Sequence, residues 1–200
     1  GRDIDKLNDL QKFIGENHRN RHHIGFCDMS ARSSIEQFVR DIPEKFQNID
    51  LLINNAGLAL GLDPAPQCDL DDWETMIDVN NKGLVIITRL ILKGMAERKK
   101  GHIINIGSTA GNYPYPGGNV YCASKAFVKH FSLALRADLQ GTNIRVTNIE
   151  PGMVETQFSK VRFKGDEAKA ASVYADTAPL TPEDVAESII WCSTLPQHFN

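Results

Sequence analysis

Positions 101–125 read Gly-His-Ile-Ile-Asn-Ile-Gly-Ser-Thr-Ala-Gly-Asn-Tyr-Pro-Tyr-Pro-Gly-Gly-Asn-Val-Tyr-Cys-Ala-Ser-Lys. The apolar run at 102–106 predicts a buried strand, and Ser108 stands just past its end. A Gly/Pro-rich loop leads to Tyr121, which opens a helix predicted over 121–139, with Lys125 four residues on. Four residues is about one helical turn, so phenol and ammonium share a face within reach of each other. A phenol beside a fixed cation can serve as a proton donor or acceptor near neutral pH.

The same grammar extends to both sides. Apolar runs at 23–27, 49–53 and 145–149 predict three further strands, and helix-spaced stripes separate them. The first stripe, over 5–16, carries Leu7, Leu10, Phe13 and Ile14, with Gly15 and Asn17 as stop signals. The second carries Ile35, Phe38, Val39 and Ile42, capped by Ser30, Ser33 or Ser34 and ended near Pro43. Asp69 and Asp72 open a long helical region to about Arg98, broken by the polar run Asn80-Asn81-Lys82-Gly83. Positions 153–180 are polar and poorly patterned, which predicts a mobile segment over a site. Thr181-Pro182-Glu183-Asp184 is a helix start, with a hydroxyl cap, proline first and acids in the first turn.

Alternating helix and apolar strand predicts an α/β domain over 1–200 with a mostly parallel sheet. Ligands of such sheets sit beyond the C-terminal strand ends. Asp28, Asn54 to Gly57, Gly107-Ser108 and Pro151-Gly152 all follow predicted strands and would converge on one rim.

Composition excludes several classes of function. A net charge of −3 gives no global attraction to nucleic acid or an anionic membrane. No apolar run reaches the roughly 18 residues that span a bilayer. The cysteines, Cys27, Cys68, Cys122 and Cys192, are scattered without a Cys-x-x-Cys pair, which fits reduced thiols in a cytoplasmic enzyme. The histidines show no metal-ligand spacing, so no metal is expected.

In order and separation, Asn54-Asn55-Ala56-Gly57, Asn80, Ser108, Tyr121-x-x-x-Lys125 and Pro151-Gly152 resemble the short-chain dehydrogenase/reductase family. Tyr-x-x-x-Lys alone is weak; the ordered set, with a serine thirteen residues before the tyrosine, is specific. A narrower likeness is to its branch of bacterial NADP-dependent 3-hydroxy acid dehydrogenases, which act as serine or allo-threonine dehydrogenases and malonic semialdehyde reductases. It is carried by positions 54–61, 72–78, 101–111, 161–166 and 180–185. The family's opening strand, Gly-rich phosphate loop, helix and second strand have no counterpart here, nor does its last strand. In its strand order, 3-2-1-4-5-6-7, the runs at 23–27 and 49–53 are separated by the first two strands. The chain is therefore expected to be part of a longer protein.

The resemblance implies a Rossmann-like doubly wound sheet and hydride transfer between a nicotinamide cofactor and a carbonyl or secondary alcohol. Tyr121 would be the acid/base, with Lys125 and the oxidised nicotinamide lowering its pKa. Ser108 would hold the substrate oxygen, and Asn80 would position a water relaying protons from Lys125. Cofactor contacts would come from Asn54, Ala56 and Gly57 at the ribose, Asp28 and Met29 at the adenine, and Pro151, Gly152, Val154 and Thr156 at the nicotinamide, beside Tyr121 and Lys125. Arg2 would meet the 2′-phosphate of NADP, preferring it over NAD, although Asp3 stands where a second arginine is expected. Tyr113 and Tyr115 would line the substrate pocket. Arg162 and Lys164 are the cations placed to bind a substrate carboxylate, with a solvated surface charge as the competing reading. The expected substrates are serine, allo-threonine or 3-hydroxypropionate, and the expected assembly is a homotetramer. Other carbonyls or sugar alcohols, or a cofactor-binding regulator without turnover, are the alternatives.

Overall fold

In the computed structural model, which describes residues 1–15, 21–175 and 177–199, eight α-helices and three strands are found. They are α1 (Ile4–Ile14), α2 (Arg32–Arg40), β1 (Leu51–Asn54), α3 (Leu70–Ile77), α4 (Leu84–Arg98), β2 (Gly101–Ile106), α5 (Asn119–Asp138), β3 (Ile144–Ile149), α6 (Phe158–Arg162), α7 (Glu167–Ser172) and α8 (Pro182–Thr194). The strands form one parallel sheet in the order β1-β2-β3. Asn54 lies level with Asn105, and Ile106 with Ile149, so all three strands end at the same rim. This is a Rossmann-like parallel sheet packed with helices.

The central strand explains itself. Ile103 and Ile104 point to opposite faces and both are fully buried, as a strand covered on two sides requires. Each buried isoleucine contributes about 1.5–3 kcal/mol relative to an exposed one. Ile103 joins Ile35, Ile87, Ile91, Met95, Leu135 and Val146 in one core, formed by α2, α4 and α5 against a single sheet face. On the other face, Arg145 of β3 reaches the carbonyls of Ser193 and Pro196, at and beyond the end of α8.

The polar break in the long helical region has a specific form. Residues Asp78–Gly83 make a π-helical turn between α3 and α4. Such turns often sit at functional sites. Asn80 lies inside it, and Gly83 closes it where a Cβ would come within 2.2 Å of the Met29 carbonyl oxygen. Only glycine admits that approach. At the start of α8, Thr181 and Asp184 form a reciprocal capping box with Pro182 at the first turn, as their residue types predict.

Two expectations are corrected. Residues 23–27 form no strand; the Cys27 N–H donates to the Gly1 carbonyl at 2.9 Å, and no ladder forms among the described residues. Helix α2 is capped by Ala31 without a side-chain bond, because Ser34 Oγ instead accepts from the Asp28 N–H at 2.9 Å. The stretch after β3 also has more structure than its composition suggests. It contains α6 and α7, and Val154 pairs with Leu180 through Leu180 N–H to Met153 O and Glu155 N–H to Leu180 O, both at 2.8 Å. The expected stop at Asn17 lies outside the described residues.

His102 is buried at 5% exposure, with Nε2 2.8 Å from Thr147 Oγ1 and no partner for Nδ1. Burial, then the neighbouring Arg145 charge, lowers its pKa from 6.5 to about 4. The folded ring stays neutral while the unfolded one gains a proton below its ordinary pKa. Its contribution is therefore complete above pH 6.5 and is lost as pH falls toward 4, a change of roughly 2–3 kcal/mol. Urea midpoints should drop between about pH 7 and pH 5, and His102→Gln should flatten that drop.

Candidate active site

At the end of β2 the Gly107 N–H donates to the Ile149 carbonyl at 2.7 Å, and the Thr109 N–H to the Pro151 carbonyl at 3.0 Å. These bonds draw the loops after β2 and β3 together. Between them Ser108 is extended, and its Oγ accepts from the Ala110 N–H at 3.1 Å, starting a short 3-10 turn. That fixes the hydroxyl beside the Tyr121 phenol, where its polarity favours the ionised form. Serine and tyrosine thus meet across the Gly/Pro loop, as their order in the sequence suggests.

Tyr121 and Lys125 lie one turn apart on α5, and both are buried. The ammonium does not reach the phenol oxygen. Lys125 Nζ donates to the Ile106 carbonyl at 2.9 Å and lies 6.0 Å from the Tyr121 ring centre. A Cβ at Gly57 would stand 3.5 Å from Nζ, so the exposed backbone at 55–57 faces the ammonium. Burial lowers the Lys125 pKa from 10.5 to about 8. Tyr121 is shifted upward: burial raises its pKa more than the neighbouring Ser108 hydroxyl lowers it. Lys125, anchored at the strand end, is not among the main influences on the phenol.

Asn80 is spoken for on three sides. Its Oδ1 accepts from the Leu58 N–H at 2.9 Å, and its Nδ2 donates to the Leu58 carbonyl at 2.8 Å and to Ser124 Oγ at 3.0 Å. Ser124 Oγ in turn donates to the Tyr121 carbonyl at 2.7 Å. The asparagine therefore locks the loop after β1 onto α5. Asn54 turns its side chain into the core, donating to Thr88 Oγ1 at 2.9 Å and Asn105 Oδ1 at 2.8 Å. Only its backbone and that of Ala56 and Gly57 remain for a ligand.

Asp28 caps its own turn, accepting from the Ser30 N–H and Oγ at 3.0 and 2.8 Å. Its Oδ1 is 3.8 Å from Arg2 Nη1. Both side chains are partly exposed, so this pair is weak and opens readily. Met29 is the residue against Gly83. Across the rim, Thr156 Oγ1 accepts from the Phe158 N–H at 3.0 Å, and the Val154 carbonyl accepts from the Tyr174 hydroxyl at 3.1 Å. Pro151 and Gly152 lie at the open end of β3.

The two candidate cations separate. Lys164 pairs with Asp72 at 2.9 Å. Arg162 is only 9% exposed, and its guanidinium carbon lies 4.9 Å from the Tyr121 ring, 5.3 Å from Phe158 and 5.7 Å from Tyr115. Its Nη2 donates to the Tyr115 hydroxyl at 2.7 Å. Its buried Nε has no partner, and among the described residues it forms no ion pair. A solvated surface charge is ruled out for Arg162. Tyr113 is 76% exposed, whereas the Tyr115 hydroxyl accepts the Arg162 bond. Phe158 and Ser124 carry no sequence signal, and Asp72 reads only as a helix-opening acid: their roles rest on contacts dozens of residues away.

Burying a charged lysine costs stability at neutral pH, where folded and unfolded chains both carry the proton. The cost fades as pH rises from about 8 toward 10.5. Lys125→Met should therefore stabilise the fold at pH 7 by roughly 2 kcal/mol, with the gain shrinking above pH 8 in chemical denaturation.

Comparison with known proteins accords with this geometry. The family described as short chain dehydrogenase matches residues 1–167. The chain is 56% identical to the NADP-dependent 3-hydroxy acid dehydrogenase YdfG of Escherichia coli (strain K12), covering 100% of this chain and 79% of that one. A solved closed form of serine dehydrogenase complexed with NADP+ superposes with a TM-score of 0.95 at 56% identity, over 100% of this chain and 79% of that one. The serine dehydrogenase of Escherichia coli gives 0.84 at 50% identity, over 100% and 80%. With a parallel sheet and the Ser108, Tyr121 and Lys125 arrangement at its rim, the chain belongs to the short-chain dehydrogenase family.

Proposed function

We propose that this protein is an NADP-dependent oxidoreductase that interconverts small 3-hydroxy acids and their 3-oxo acids, with serine, allo-threonine and 3-hydroxypropionate as substrates. One observation carries the substrate class. Arg162 is a buried guanidinium without a carboxylate partner among the described residues, lying over the ring of the proposed acid/base. A buried charge without a counter-ion is costly, and a substrate carboxylate would supply one. The similarity to 3-hydroxy acid and serine dehydrogenases supports the same choice.

The residues present suit the cofactor. Lys125 Nζ has donors to spare beyond its bond to Ile106 and faces the open backbone at Gly57, where a ribose hydroxyl would bind. Arg2, half exposed and loosely paired to Asp28, is available to a 2′-phosphate. Asn54 and Ala56 contribute backbone, Asp28 and Met29 the adenine side, and Pro151, Gly152, Val154 and Thr156 the nicotinamide side. The bound nicotinamide supplies or accepts the hydride. Tyr121 is the proton donor: its raised pKa keeps the phenol protonated at neutral pH, ready for a carbonyl oxygen. Ser108 orients that oxygen and the phenol together. Lys125 holds positive charge beside the ring, and Asn80 keeps the loop at Leu58 in place so that a relay water can be held near the ammonium. We infer a cytoplasmic homotetramer; Phe127 and Leu133, exposed on α5, support a subunit contact.

Absorbance of the reduced cofactor tests the reading directly. Turnover should be seen with 3-hydroxypropionate or serine and NADP, and clear preference for NAD would remove Arg2 from the cofactor site. Tyr121→Phe should lose about a hundredfold or more in kcat while cofactor binding survives; near-normal turnover would exclude it as the acid/base. Arg162→Ala should raise KM for the acids by about tenfold or more and spare a neutral alcohol.

A further inference from the structure

Helix α6 has only five residues, yet it carries Arg162. A helix that short does not hold itself together. One fastening is the Gly61 N–H, which donates to the Arg162 carbonyl at 2.9 Å. The second lies two residues on, where Lys164 takes up a left-handed conformation with φ of 51°. Left-handed positions at helix ends usually go to glycine, because a Cβ crowds the backbone there. A lysine at this position is explained if its side chain is needed. That side chain spans to the first turn of α3, with Nζ 2.9 Å from Asp72 Oδ2 and 3.8 Å from Asp69 Oδ2. Asp69 is the N-cap of α3, and the Asp72 side chain is only 17% exposed.

The partner element is itself tied to the site. Trp73 and Met76 of α3 pack in the cluster that contains Tyr121, and α3 runs straight into the π turn that holds Asn80. An ionic contact between α3 and residue 164 therefore links the segment bearing Arg162 to the frame bearing the phenol. It also neutralises Lys164, while Arg162, like Lys125, stands near Tyr121 with no carboxylate partner among the described residues.

We propose that Lys164 and Asp72, assisted by Asp69, are a positioning pair: an ionic strap that ties the end of α6 to α3 and sets the Arg162 guanidinium against Tyr115 and Tyr121. This rests on the reading of Arg162 as the residue that receives the substrate's anionic group. The strap touches neither substrate nor reacting atoms, so it acts on the affinity for charged substrates through Arg162. Proton chemistry at Tyr121 is left alone.

The test compares 3-hydroxypropionate with its neutral isostere 3-hydroxypropionamide, read as turnover or as competitive inhibition. Lys164→Gly keeps the left-handed turn free of strain while removing the ammonium, which separates the ion pair from the backbone shape. Lys164→Gly and Asp72→Asn should each raise KM for the acid about three- to tenfold, with kcat and the amide nearly unchanged. The exchange Lys164→Asp with Asp72→Lys should recover part of the loss, and in Arg162→Ala the Lys164→Gly change should add no further discrimination. If Arg162→Ala is selective for the acid but Lys164→Gly leaves its KM unchanged, or raises acid and amide equally, the strap is overturned alone. Equal losses on acid and amide in Arg162→Ala overturn the substrate reading and the strap with it.

Discussion

The hydrogen bond from Asn54 Nδ2 to Asn105 Oδ1, 2.8 Å long and buried between β1 and β2, is the constraint on which the site depends. It joins residues that face each other in register, so a slip of either strand would break it. Its two amides also reach the helices: Asn54 donates to Thr88 on α4, and Asn105 donates to Ser132 on α5 at 2.8 Å. The helix with the phenol and the helix leading from the π turn are thereby referred to the same two strands. Each of these polar groups, left unpaired in the core, would cost about 1–3 kcal/mol. Slippage is penalised several times over, and the strand ends stay level.

Above that frame the electrostatics run in one direction. Lys125 and Arg162 are both buried near Tyr121, and neither has a carboxylate partner among the described residues. Lys125 is held by a carbonyl and Arg162 by a phenol. The fold thus concentrates positive charge where burial resists it, a cost that ligands of opposite charge would offset. The acids nearby are committed elsewhere: Asp72 to Lys164, and Glu150 to Asn112, Asn148 and Lys129. Stability and ligand binding pull against each other at these positions.

Much of this was legible in the sequence. The runs that became β1, β2 and β3 are short, apolar and bounded by glycine, asparagine or proline, and α8 announces itself through local capping chemistry. The Ser108, Tyr121 and Lys125 set was readable because strand, loop and helix each have local signals. The stretch at 23–27 misled, because an apolar run states a preference for extension while a strand also needs a neighbour to pair with. Asn54 was placed at the rim by its position, yet alternation with Leu52 already aims its side chain at the core. Arg162 was least legible. Five residues give no period, and its neighbours Lys160, Lys164 and Asp166 have the look of a solvated surface. Its burial depends on Tyr115 and Tyr121, which no local rule connects to it.

Gly83 carries a consequence beyond packing. Its missing side chain is the space occupied by the Met29 carbonyl, so the turn between α3 and α4 is in register with the loop that follows Asp28. Any larger residue would clash with that carbonyl and push the loop outward or distort the turn. In a deep mutational scan, position 83 would score with the loop after Asp28 that it supports, though no atom of it need touch a ligand bound there. Maps of tolerance drawn for this fold will therefore show a binding footprint wider than the true contact surface, and its outlying points will mark where backbone leans on backbone.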